Sequence, residues 1–551
     1  MSGQTFYKDD FTAYLKRRSF LLRIGLITGG IFLNSCYKKL KSNNYNIKGN
    51  LFGPNAKAGH ALRDKIKIPP ASKTRKVKIL IIGSGISGLS AGRWLKNSGE
   101  LDFEIIELEN HIGGSSHYSS NKVSSYPLGA HYITIANNDD ELLIDFLKEI
   151  NVITHFENDL PYYNDYYLTF DPEERLLING EWQEGLIPDF GVPQADKIQI
   201  RRFLNDVEKL KNTKGNDGKF VFNIPVHSSS NDLEYRKLDK ITFESYLHTN
   251  GYDSKYLLWY LNYACKDDYG QKMDKISAWA GLHYFASRRG GAANAEQNAI
   301  LTWPEGNGWI MKQLATGLKE HIKTSNMCYE IKKMADGSLS ATIFNLSTNS
   351  TESILAEKVI LCSPQFVNNR LLKNFDREIN YKNFSYAPWL VANITINQLP
   401  DSKGITLCWD NVAFNTPSVG YVNSAQQHLK ISEDKKILTY YLPLCDFEPS
   451  IARLAAYSRD YSQWLDIIIP ELEMMHPNLS QAIENIDIWI WGHGMIAPTE
   501  NFIWSDNLEK ARKPIENKIF FAHSDLSGIS IFEEAFHQGI NAAKQILNNN
   551  G

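Results

Sequence analysis

Three glycines and one acid carry the clearest chemistry in this chain. Gly83, Gly85 and Gly88 stand in Gly-x-Gly-x-x-Gly after the apolar run 78–82, and Glu107 follows Gly88 by nineteen residues at the end of a second apolar run. The spacing gives a tight turn at Gly83, a bare backbone at Gly85 for a pyrophosphate, and close helix–strand packing at Gly88. Ser84, Ile86 and Ser87 complete the turn. The helix that follows offers unpaired N–H groups and partial positive charge to phosphates. The Glu107 carboxylate is placed to accept ribose hydroxyls. Strand, turn, helix and spaced acid together predict a dinucleotide site on a parallel α/β sheet, with a glycine-rich turn in an unrelated sheet as the plainer alternative.

The elements that hold such a site need a large chain around them. At 551 residues this one is too long for a single core, so two interleaved domains are expected. A net charge of −3 gives no electrostatic case for nucleic acid. No apolar run in the body of the chain reaches the roughly eighteen residues of a spanning helix. Cys36, Cys265, Cys328, Cys362, Cys408 and Cys445 form no Cys-x-x-Cys pair or zinc spacing, so no metal site is expected. They are also too sparse for a disulfide framework.

The N-terminus carries an address. Lys16-Arg17-Arg18-Ser19-Phe20-Leu21-Leu22-Arg23 resembles a twin-arginine export signal, and Leu33-Asn34-Ser35-Cys36 resembles a lipobox, with Asn34 departing from its usual pattern. These resemblances imply a signal over residues 1–36 and folded export by the twin-arginine machinery. They also imply a periplasmic or cell-envelope location, a lipid anchor at Cys36, and membrane contact through signal or lipid alone. An uncleaved anchor or a buried helix is the alternative. Residues 37–75, rich in Lys and Asn with Pro69-Pro70, read as a solvated tether. Within it, Gly59-His60-Ala61-Leu62-Arg63-Asp64 reads as a short capped helix on the surface.

Past Glu107 come Leu108, then Gly113-Gly114-Ser115, then Gly129-Ala130-His131-Tyr132. Further on stand Thr302-Trp303-Pro304-Glu305-Gly306-Asn307-Gly308 and a strand-like run ending Cys362-Ser363-Pro364. The chain closes with Ala522-His523-Ser524-Asp525, Ile531-Phe532-Glu533-Glu534-Ala535 and Gln538-Gly539. In this order the segments resemble the flavin-dependent amine oxidase superfamily, which includes protoporphyrinogen oxidases and carotene desaturases. Ser115 stands where the family has Arg, and Glu534 where it has Gly.

The resemblance implies a Rossmann-type FAD/NAD(P)-binding domain interleaved with an α+β substrate domain. It implies FAD contacts at Leu108, Gly113, Gly114, Ser115, Gly129, Ala130, His131, Tyr132, Pro364, Ser524, Asp525, Ile531, Phe532 and Ala535, besides the turn and Glu107. His131 is the catalytic candidate, with a structural N–H to a backbone carbonyl as its competing role; Asp525 is a ribitol ligand; and either Glu534 points away from flavin N1 or the match to the family slips by one residue. No cysteine follows Cys445, so FAD is expected without a covalent link. The lysine that many relatives hold near flavin N5 has no local signature here.

By the same resemblance the FAD domain spans residues 76–134, 300–366 and 486–551, and the substrate domain residues 135–299 and 367–485. The expected activity is hydride transfer from a C–H bond of an amine-like or other small substrate to flavin N5, with dioxygen or another acceptor taking the electrons. Rivals are a flavin isomerase or mutase of the same fold, a lipid-anchored FAD-containing binding or assembly protein, and an NAD-dependent dehydrogenase. Tyr162, Tyr163, Tyr166, Tyr167, Trp279, His283, Tyr284, Phe285, Trp303 and Trp491 are candidate pocket lining, although such aromatics are more often plain core. Asp267-Asp268 would suit a polyamine, but reads as a solvated pair on a surface loop.

Overall fold

A computed structural model describes residues 45–548, apart from residue 425 and residues 428–434. The export-signal and lipobox resemblances, Cys36 included, lie outside the described residues. Two sheets organise the rest. In the first, Phe103–Ile106, Lys73–Ile82 and Ser350–Leu361 run parallel, with Ile322–Lys323 on one edge. The long strand Ser350–Leu361 has a shared outer side. Its first half pairs antiparallel with Leu339–Asn345, and its last three residues pair parallel with Ile519–Phe521. Val77 and residues 79–82 are buried without alternation, as a sheet covered on both faces requires. The helices Ile86–Asn97 and Phe532–Asn548 cover one face through Leu89, Phe536 and Ile540, while Leu62, Leu371 and Leu508 cover the other.

The second sheet has eight strands, in the order Leu51–Phe52, Ile483–Ile496, Tyr386–Ile396, Lys436–Pro443, Tyr421–Asn423, Asp410–Ala413, Glu174–Ile178 and Glu181–Glu184. Trp464 and Ile468 of the helix Tyr461–Met475 cover one face. The helices Lys255–Tyr269 and Ala278–Ala286 pack toward the other.

Three expectations change. The described part of the stretch read as a tether, residues 45–75, carries folded elements: Leu51 and Phe52 pair with Ile488 and Trp489, and the helix Ala56–Asp64, capped by the Asn55 side chain, buries Ala58, Ala61 and Leu62. Its apolar residues are few, which is why composition alone reads as solvated. The strand Ile483–Ile496 lies wholly in the substrate sheet, so the chain returns to the cofactor domain after residue 496 and not at 486. Asp267 and Asp268 sit inside the helix Lys255–Tyr269, not on a surface loop. No described helix is long and apolar enough to cross a membrane.

Candidate active site

The glycine turn has the shape that its spacing demands. Gly83 takes φ +104°, a Cβ at Gly88 would meet Gly83 O at 1.9 Å, and the space in front of Gly85 is open. No side chain caps the helix Ile86–Asn97 at Gly85, so its first N–H groups face that space. Glu107 is buried beside them. Its Oε2 accepts from Ser84 N at 2.8 Å and Ser84 Oγ at 2.7 Å, and its Oε1 from Glu109 N at 2.9 Å. Gly113 N donates to Ser84 O at 2.9 Å, which fixes the Gly113-Gly114-Ser115 turn against the glycine loop. The groove is therefore open where a diphosphate needs room and acidic where a ribose needs acceptors. These residues fit a dinucleotide.

Beyond Ser115 a cavity partly open to solvent, about 940 Å³ with its open mouth included, lies between residues of the two sheets. Ser115, residues 129–134 and residues 530–533 form the cofactor-side wall, so segments separated by several hundred positions meet as expected. Two hydrogen bonds pin this wall to the second sheet: Trp491 Nε1 donates to Leu128 O at 2.5 Å, and Tyr441 Oη to Gly129 O at 3.0 Å. The return segment adds Asn307 N to Ala130 O at 3.0 Å and Thr302 Oγ1 to His131 O at 2.8 Å. His131 is stacked with Tyr441 at 4.4 Å and Trp409 at 5.5 Å. Burial holds its imidazole down at about 3, so the ring is neutral at ordinary pH.

The far wall is acidic. Tyr132 Oη donates to Asp267 Oδ2 at 3.2 Å, and Arg288 Nη2 to Asp268 Oδ2 at 2.7 Å. Arg288 is the one basic side chain on the cavity wall, where no lysine stands among the described residues. Glu533 faces the same space. Behind Asp267 lie Glu174 and Asp410, directly opposite each other on paired strands, with Tyr263 Oη donating to Asp410 Oδ2 at 3.2 Å. Burial and then the neighbouring Asp268 raise Asp267 to about 7. Burial, Glu173 and Asp267 raise Glu174 to about 8. Burial raises Glu533 to about 7, and burial with Glu174 and Asp267 raises Asp410 well above the carboxylate range. One guanidinium therefore shares the cavity wall with three carboxyl groups, Asp267, Asp268 and Glu533, with Glu174 and Asp410 behind them, a surplus of potential negative charge within reach of tyrosine rings.

Other expected residues take different places. Asp525 is 1% exposed, and its carboxylate accepts from Tyr386 Oη at 2.5 Å and Gln365 N at 2.9 Å, with His523 Nδ1 at 2.9 Å. These partners turn it inward, where it ties the loop after Pro364 to the turn Ser524–Leu526 in place of offering a free ribitol ligand. Pro364 caps the helix Gln365–Leu371, and Ser524 is buried. Ile531 and Phe532 line the cavity, with Ala535 one turn further along the helix. Glu534 does point away: its Oε1 accepts from Val226 N at 2.6 Å. Of the aromatic candidates, Trp491 reaches the cavity and Tyr284 lies under the Arg288 guanidinium at 4.4 Å. Trp279, Trp303 and Tyr163 are core, Tyr166 is exposed, and His283 is a satisfied core histidine bonded to Asn223 O at 2.9 Å. Arg288, Glu533, Tyr441, Glu174 and Asp410 carry no spacing signal in the sequence.

Comparison with known proteins agrees with this architecture. Residues 81–150 match the family described as NAD(P)-binding Rossmann-like domain. Polyamine oxidase 7 of Oryza sativa subsp. japonica is 36% identical over 66 residues, 12% of this chain and 14% of that protein. The corticosteroid-binding protein of Candida albicans is 25% identical over 256 residues, 45% of this chain and 44% of that protein. The chain thus spans less than half the length of these curated relatives. Wild-type putrescine oxidase bound to putrescine superposes with a TM-score of 0.60 at 15% identity, over 86% of this chain and 100% of that one. The chain therefore has the fold of the amine oxidases, a Rossmann-like dinucleotide-binding domain interleaved with a second domain across one shared cavity.

Proposed function

We propose that this protein is an FAD-dependent oxidoreductase acting on a small cationic amine. The observation that carries the reading is the carboxyl group of Asp267, facing the same cavity as the Gly129-Ala130-His131-Tyr132 wall and backed by Glu174 and Asp410. Bound along the glycine turn and Glu107, FAD would supply the hydride acceptor and a route for the electrons to dioxygen or another acceptor. The chain's own residues do the rest. The acids bind an ammonium group in a partly desolvated space, where tyrosine rings add cation–π attraction. Asp267, with an affinity for protons near neutrality, takes the proton that the reacting nitrogen must shed before its lone pair can assist C–H cleavage. His131, neutral and stacked, shapes the wall and holds the reacting carbon in place.

The same reading puts the protein in the cell envelope, exported folded by the twin-arginine route with its non-covalent cofactor inside and a lipid at Cys36. The export-signal and lipobox resemblances support that placement, and cell fractionation of the wild type beside an Arg17→Lys/Arg18→Lys variant tests it.

The principal experiment is anaerobic titration of the purified yellow protein with short diamines. Bleaching of the flavin band, with FAD released on denaturation, is expected. A colourless protein, or a flavin that no amine bleaches, overturns the proposal, and turnover seen only after dithionite reduction indicates the isomerase instead.

A further inference from the structure

Arg175 is a buried charge with no acid beside it. It stands on the strand Glu174–Ile178 with none of its surface exposed. Its Nε donates to Asn411 Oδ1 at 2.5 Å, its Nη1 to Ile405 O at 2.9 Å, and its Nη2 to Tyr421 Oη at 3.1 Å. The Trp182 ring covers the guanidinium at 4.0 Å. Each of these acceptors is neutral, and among the described residues no carboxylate pairs with Arg175. A guanidinium held in such company is unfavourable by itself, so its place in the fold calls for a reason.

That reason lies on the other face of the sheet. Where Glu174–Ile178 pairs parallel with Asp410–Ala413, Arg175 stands opposite Asn411 and Glu174 opposite Asp410. Side chains alternate along a strand, so the two pairs project to opposite faces. The packing agrees. Leu176 and Val412 join the core under the helices Lys255–Tyr269 and Ala278–Ala286, whereas Ala413, Tyr421 and Trp182 join the core under Tyr461–Met475. Two carboxyl groups directly opposite repel once ionised, and a slip of one residue would part them and turn the strand over. The Arg175–Asn411 bond on the back face opposes that slip. From Asp410 the coupling continues to the cavity. Tyr263 Oη donates to Asp410 Oδ2 at 3.2 Å, and Asp267 follows Tyr263 one helical turn later on the same face. Asp267 in turn accepts from Tyr132 on the cofactor-side wall.

We propose that Arg175 is a positioning residue for amine recognition: it locks the strand register that sets Glu174 against Asp410 and, through Tyr263, steadies the helix turn that presents Asp267. The inference rests on the amine reading above. Arg175 is not on the cavity wall, and acts from behind the sheet. A guanidinium suits the task because its planar fork reaches Asn411, Ile405 and Tyr421 at once, tying its own strand to two others and to the loop before Asp410. A lysine ammonium would keep the charge without spanning that fork.

The test is a double-mutant cycle on Arg175→Lys and Asp410→Asn in the flavin-loaded protein. The Kd of a short diamine comes from the concentration dependence of anaerobic flavin reduction. A diol of the same length, used as a competitor, reports the shape of the pocket without the charge. Arg175→Lys should raise the diamine Kd about tenfold and leave the diol within about twofold of wild type. In the Asp410→Asn background the same substitution should add less than about twofold. Tyr421→Phe, which removes one acceptor and keeps the ring, decides the matter where the lysine variant does not fold, with about a threefold rise expected. An unchanged diamine Kd in whichever variant folds, an equal loss for the diol, or full additivity with Asp410→Asn overturns the proposal. A wild type that carries no flavin, or that no amine bleaches, sinks the earlier reading instead.

Discussion

The hydroxyl of Tyr132 donates to Asp267 Oδ2 at 3.2 Å, joining the cofactor-side wall of the cavity to the acidic helix of the substrate domain. Asp267→Asn keeps the shape and this hydrogen bond but removes the charge. The expected result is an amine Kd raised by roughly thirtyfold, about 2 kcal/mol, with the visible spectrum of the bound flavin unchanged. A neutral substrate analogue of the same size should bind both proteins alike. Equal amine affinity in variant and wild type would remove Asp267 from recognition.

Proton uptake by the acids sets a second expectation. Asp267 and Glu533 titrate at about 7 and Glu174 at about 8, whereas unfolded carboxyls titrate near 4. Between those values the folded state binds more protons than the unfolded one, so the contribution of these groups to stability falls as pH rises through 7 to 8. The depressed histidines, such as His131 and His493, act with the opposite sign, but only below about 6.5, where the unfolded ring takes up its proton. From pH 6.5 to 8.5 the amine-free protein should therefore lose Tm. Asp267→Asn should flatten that slope, and a diamine should raise Tm more at pH 8.5 than at pH 6.5. A variant as steep as wild type contradicts the assignment.

Neighbouring acids at the start of the last helix should behave differently. Glu533 faces the cavity, while Glu534 is turned to Val226 N. Removing negative charge near the flavin eases its reduction, so Glu533→Gln should raise the midpoint potential by on the order of 30 mV, a tenfold change for two electrons. Glu534→Ala should leave the potential alone and lower stability instead, because it deletes the hydrogen bond from Val226 N that links the helix to the substrate domain. Dye-equilibrated reduction of both variants separates the two outcomes.

Trp491→Phe deletes the 2.5 Å bond to Leu128 O while keeping most of the ring. The orphaned carbonyl is expected to cost about 1 to 2 kcal/mol in denaturant unfolding and to loosen the wall that carries His131. A loss below about 0.5 kcal/mol would mean that the bonds from Tyr441, Asn307 and Thr302 fix this wall without it.

Much of the cofactor half was legible because its chemistry is local. A turn, a helix start and an acid at the end of the next strand are all encoded within residues 78–115, and the groove follows from them. The acidic half was not. Asp267-Asp268 resembles a solvated pair until both faces of its helix are covered, and Glu174 meets Asp410 only through a parallel pairing between distant strands. Asp525 shows a third kind of miss: a carboxylate in the expected place is spent on Tyr386, Gln365 and His523, a local network that no spacing rule anticipates. The N-terminal strand and helix were hidden by composition, since three small or apolar contacts and two paired residues are enough to fold a lysine-rich stretch.

The long strand Ser350–Leu361 has a consequence for truncation. Its tip pairs with Ile519–Phe521, and the helix Phe532–Asn548 covers that corner. A chain cut before residue 519 can therefore build most of the substrate half yet hold no finished cradle. On the flavin reading such a truncated chain should be colourless even though every glycine of the turn is present.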